Sequence, residues 1–135
     1  GDGIGGVATS GWRGRSHSLG IADAVTVLAP TAAGADAAAT MIANAVDLPD
    51  APQIHRQPAR SLAPDSDLGD RFVTVGVPDL APADRQAALA RGVVRATSCL
   101  ARGLIRAAFL SLQGEFRSLG DDALIRIHQQ RGDTR

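Results

Sequence analysis

Lysine is missing from this 135-residue sequence; all 14 basic residues are arginine. Without lysine there is no Schiff-base amine, no P-loop lysine and no lysine general base. Tyrosine is missing too, and aromatic residues make up only 3% of the chain, as one Trp and three Phe. Packing therefore falls to Ala, Val, Leu and Ile, which favours close contact of helices with a sheet. The single cysteine, Cys99, excludes an internal disulfide and any cysteine-rich metal cluster. It sits in a helix-like stretch and reads as a small core residue. No apolar run approaches the ~20 residues that span a bilayer, and no signal-peptide pattern is visible. With one thiol, a cytoplasmic location is the default expectation. Formal net charge is zero, from 14 basic and 14 acidic residues. That balance gives no field-driven attraction to nucleic acid or to an anionic membrane.

What is present suits one globular domain: 44% apolar and 21% charged residues. The chain opens on Gly1-Asp2-Gly3-Ile4-Gly5-Gly6, with no initiator Met. Four glycines in six residues read as a loop. The expectation is that the sequence starts inside a longer protein, so that part of any site lies upstream.

Val7 to Gly11 reads as a short element ending at a turn, and Trp12 to Ser18 as an arginine-rich loop. Ile21 to Ala29 is β-branched and reads as a strand. Thr31 can cap an alanine-rich helix over Ala32 to Val46. From Asp47 to Asp70 four prolines break the pattern, leaving a lid, two short hidden strands or a mobile segment. Arg71 to Val77 reads as a strand. A helix follows from Pro82 to about Arg102, with an apolar stripe of Val93, Val94, Thr97 and Leu100 and Gly103 as its cap. Leu104 to Leu112 and Glu115 to Leu119 read as strands joined by a Gln113-Gly114 turn. Residues 121–135 read as a terminal element or tail. The fold class is α+β, with helices packed on a mixed or antiparallel sheet.

Several groups could carry chemistry. Asp36 and Thr40, at i and i+4 with only alanines between, share one helix face, which Asn44 continues. A carboxylate and a hydroxyl beside phosphate oxygens make a hard-oxygen site of the kind Mg2+ accepts. The alternative is a first-turn Asp favoured by the helix dipole and a Thr bonded to its own backbone. Thr9, Ser10 and Gly11 would let backbone N–H groups approach a phosphate. Arg13 and Arg15 could pair with its oxygens, or simply be solvated. His17 could bind a ligand or move a proton, or be a structural histidine. His55 and His128 read as surface residues. The acidic run from Asp65 to Asp70 lacks the glycine and terminal glutamate of a calcium loop and reads as a turn.

The order of these features resembles the ApbE-like flavin transferase superfamily, in particular a shorter branch of it. The stretch that carries the resemblance is VATSGWRGRSHSLGIADAVTVLAPTAAGADAAAT, Val7 to Thr40. The resemblance implies an ApbE-like fold in which residues 1–120 form the C-terminal half. It also implies FAD as ligand, Mg2+ as cofactor, and transfer of FMN to a protein threonine with release of AMP. Asp36 and Thr40 match the family's cation-binding pair, His17 its histidine, and Thr9 to Gly11 the loop near the ligand. The chain departs from the pattern after His17, where the family's Asp-Pro is missing and Asp23 is the candidate replacement. A non-catalytic binding module for a flavin, nucleotide or other small anion is the second expectation. An enzyme with Thr9 or Ser10 as nucleophile and His17 as base is the third. Expected partners are the flavin or nucleotide, an upstream half or partner chain, and a second copy of the chain across an uncovered sheet edge.

Overall fold

A computed structural model describes residues 3–14, 18–63, 65 and 68–121. Four strands form one antiparallel sheet: β1 (Gly6–Ser10), β2 (Ala24–Ala29), β5 (Ala107–Leu112) and β6 (Glu115–Gly120), in that spatial order. Two helices, α1 (Ala32–Ala45) and α3 (Pro82–Ala101), cover one face of it. Between them in sequence lie β3 (His55–Pro58), the short α2 (Ala59–Leu62) and β4 (Phe72–Gly76), with β3 and β4 paired antiparallel. The fold is thus α+β on an antiparallel sheet. No helix among the described residues is long and apolar enough to cross a membrane.

Alternation decides the core. On β2, Val25, Val27 and Ala29 are fully buried, while Ala24, Thr26 and Leu28 point to the opposite face. Ladder pairing carries this phase across the sheet, so Ala108, Leu110 and Leu112 of β5 join the covered face. The residues opposite form rows: Thr9, Thr26, Phe109 and Ser118 lie side by side, as do Ala24, Ser111 and Phe116.

The buried hydrophobic set contains Ala, Val, Leu, Ile and Cys99, and no Phe or Trp. This agrees with the packing expected from the scarcity of aromatic residues. Helix α1 buries Ala35, Ala38, Ala39, Ile42 and Ala43. Four alanines out of five let its axis come close to the sheet. Its start is as expected: the Thr31 hydroxyl accepts a bond of 3.0 Å from Gly34 N–H.

Helix α3 corrects one expectation. Its buried residues are Ala88, Leu89, Gly92, Ala96 and Cys99, whereas Val94 is 72% exposed and Thr97 is exposed. Val93 and Leu100 only flank the core. The small residues win because they permit close approach to α1 and the sheet. Thr97 instead donates 2.8 Å to the carbonyl of Val93. The helix ends as expected at Gly103, whose φ is +73. Leu104 N–H then donates to Cys99 O and Gly103 N–H to Leu100 O, a Schellman arrangement. That arrangement occupies Leu104, so β5 starts at Ala107 rather than at Leu104.

The Gln113-Gly114 turn has φ of +49 and +86, the positive pair that a two-residue hairpin of type I′ needs. The proline-rich stretch does hold a hidden strand, β3, and the single-turn α2. Asp65 and 68–70 lie in a turn, with Arg71 N–H donating to Leu68 O. The expected tail, from 122 on, lies outside the described residues, as does His128. His55 is exposed, as expected.

Candidate functional site

The stretch from Thr9 to Gly11 sits at the end of an edge strand. Strand alternation splits it: Thr9 points to the face away from the helices and Ser10 to the helix side. The Thr9 hydroxyl is 2.9 Å from that of Thr26 on β2. Gly11 is buried, and a Cβ there would lie 2.2 Å from the carbonyl oxygen of Asp23. Close backbone approach therefore requires this glycine. The N–H groups of Trp12 and Gly14 are engaged by Ala22 O and Gly11 O. The glycine thus has a packing reason independent of any phosphate.

Arg13 is exposed, with its guanidinium carbon 5.0 Å from the centre of the Trp12 ring. The Trp12 indole N–H is buried and has no hydrogen-bond partner among the described residues. Arg15 and His17, both candidate site residues, lie outside the described residues.

Where the chain returns from this loop it is held firmly. Asn44 Oδ1 accepts from the Ser18 hydroxyl at 3.1 Å and from Leu19 N–H at 3.0 Å. Ser18 carbonyl accepts from Thr74 N–H, and Ile21 N–H donates to Val46 O. Arg56 reaches over from β3, donating 2.9 Å to Leu19 O and 2.6 Å to the Asp47 carboxylate. Both side chains are mostly buried, at 18% and 15% exposure. Asn44 therefore belongs to the scaffold of the loop, not to a ligand face. Arg56 gave no signal in sequence because β3 lacks the alternation that marks a strand, and Asp47 and Thr74 gave none because their contacts to Arg56 and Ser18 are non-local.

Asp36 and Thr40 are both exposed and stand one turn apart on α1. Asp36 is the fifth helical residue, and the first turn holds no acid. A helix-dipole role for it as a first-turn acid is thereby corrected, since that effect fades beyond the first turn. Neither side chain makes a hydrogen bond or ion pair with a described residue. Among the described residues no group of three or more His, Cys, Asp and Glu is gathered for a metal. The pair can still supply two oxygen donors, with water or a ligand completing the set. Asp23, the candidate replacement acid, faces away: its Oδ2 accepts 2.7 Å from Gln113 N–H at the β5–β6 turn. It is a structural cap for that hairpin.

Thus α1 packs its alanine face against the sheet whose edge delivers Thr9 to Gly11, and leaves Asp36 and Thr40 outward. The arrangement defines an α+β domain with two oxygen donors on the outer surface of α1, on the other side of the sheet from the Thr9 hydroxyl. The chain matches the family described as AbpE bacteria over residues 1–118, and it belongs to that family. No curated protein and no solved structure matches it.

Proposed function

We propose that the chain is a flavin-transferase-like protein of the ApbE type that binds FAD together with Mg2+. The observation that carries this reading is the free pair Asp36 and Thr40. They present oxygens one turn apart, without a partner among the described residues, on the helix that packs against β1. Mg2+ is commonly held by one or two protein oxygens, with waters and substrate phosphates filling the octahedron. Two donors therefore fit it as a partial set. When bound, it would neutralise pyrophosphate charge while a phosphoryl bond breaks. In this reading Asp36 and Thr40 orient the diphosphate, Arg13 and Arg15 pair with its oxygens, and His17 moves a proton.

One observation favours a second reading, a binding module without transfer. Asp23, the candidate replacement for the missing acid, is committed to Gln113. A pocket that keeps the ligand contacts and lacks that acid would bind without turning over.

The test is a titration of FAD by flavin fluorescence, with and without Mg2+. Saturable, Mg2+-dependent binding is expected, and Asp36→Ala should abolish it while leaving the fold intact. Release of AMP would separate transferase from binding module. Absence of FAD binding at every Mg2+ concentration removes the flavin from this reading.

A further inference from the structure

Strand β6 ends the four-stranded sheet, and among the described residues no strand pairs with its outer edge. The two-residue Gln113-Gly114 turn makes Leu112 and Glu115 a hydrogen-bonded pair. Alternation then turns the backbone N–H and C=O of Glu115, Arg117 and Leu119 toward β5. Asp121 N–H, in the same phase, donates to Arg106 O. The N–H and C=O groups of Phe116 and Ser118 therefore point outward from the sheet. The Phe116 carbonyl is met there by the Arg117 guanidinium of its own chain, at 2.8 Å. Sheet edges are commonly guarded by proline, lysine, a bulge or an inward charge. Strand β6 has no proline and no lysine, and its register with β5 runs without a bulge. Its helix side does carry charges, Glu115 and Arg117, and they are of opposite sign. Glu115 Oε2 is buried without a hydrogen bond among the described residues, 3.9 Å from Arg85.

A second copy can add to this edge antiparallel only in registers that set outward residue against outward residue. Centred on Ser118, such a register puts Glu115 opposite the second copy's Asp121. Centred on Arg117, it sets the two Arg117 side chains against each other. Centred on Phe116, it puts Glu115 opposite the second copy's Arg117, twice over by symmetry, and the two exposed Phe116 rings side by side. Like charges directly opposite destabilise a strand pair, whereas opposite charges and aromatic pairs stabilise it. The inward charges that would deter other registers thus select this one. We propose that β6 is an interface between two copies of this chain, joined edge to edge about a two-fold axis at Phe116 into one continuous antiparallel sheet. Phe116 N–H donates to the second copy's Phe116 O, and Arg117 moves from its own backbone carbonyl to the second copy's Glu115. The contact uses the same surface on both copies, so it closes at the dimer. It does not depend on the flavin reading.

The experiment is sedimentation equilibrium of the full chain over a concentration series, which is expected to show monomer and dimer. Arg117→Glu sets like charges opposite each other at both ends of the pair and should weaken the dimer at least about tenfold, with Arg117→Lys restoring most of it. Circular dichroism checks that the variants fold. Phe116→Cys tests the register itself. Paired Cα atoms there lie about 5.5 Å apart, within the roughly 4.4–6.8 Å that a disulfide spans, and the native Cys99 is buried. Oxidation with diamide should link two copies through Phe116→Cys and leave Ser118→Cys unlinked. A chain that stays monomeric at every concentration overturns the proposal. So does a dimer that Arg117→Glu leaves intact, or one that cross-links through Ser118→Cys in place of Phe116→Cys.

Discussion

The two faces of the four-stranded sheet use different residues. The face under α1 and α3 takes Val25, Val27, Ala108, Leu110 and Leu112, all fully buried or nearly so. The other face takes Thr9, Thr26, Ser111, Ser118, Phe109 and Phe116. One face is made for packing at short range with small and branched side chains. The other holds hydroxyls and rings, which the packed core does without. The difference shows that packed and outward-facing side chains are separated by one residue of register along each strand.

The largest test of that separation is Leu110→Ala. The residue is 1% exposed and packs against Gly92 of α3, and its loss should cost about 3 kcal/mol by cavity formation. Urea unfolding would read this as a lower midpoint at unchanged slope. Next comes Arg56→Ala, at the loop anchor. It leaves a mostly buried Asp47 and the Leu19 carbonyl without their donor, so a loss of about 2 kcal/mol is expected. The same unfolding assay checks it, and restored stability in a double variant with Asp47→Asn would confirm the pairing as the cause. The smallest effect is Phe116→Ala, on the open face. Its side chain is mostly exposed, so the change should stay within about 0.5 kcal/mol. A loss as large as that of Leu110→Ala would mean that Phe116 serves packing, and the two faces would no longer differ in kind.

Much of this architecture was readable beforehand, for local reasons. The Thr31 cap, the Gln113-Gly114 hairpin and the Gly103 terminus each depend on a few adjacent residues with strong conformational preferences. Strand β3 was not readable, because His55 to Pro58 carries no alternation and is held by backbone pairing with β4. The buried face of α3 was read from its bulky residues. The neighbours selected Ala88, Leu89, Gly92 and Ala96 instead; at Gly92 even a Cβ would lie 2.3 Å from Val46 and 2.7 Å from Leu110. In the candidate site, Asp36 and Thr40 were legible as a helical i, i+4 pair, and the structure leaves them outward. The roles of Asn44 and Asp23 were not legible, because their partners lie 25 and 90 residues away in sequence.

Composition pointed to a core packed mostly by Ala, Val, Leu and Ile, and local patterns along the chain to an α+β order of elements, because packing volume and local propensity are properties of the residues themselves. Which polar groups are consumed by the fold and which stay outward was decided only by long-range contact. Asn44 and Asp23 accept from distant N–H groups, while Asp36 and Thr40 have no partner among the described residues. Hydrogen-bond partners are chosen by proximity in space, and the chain acquires that proximity only when it folds.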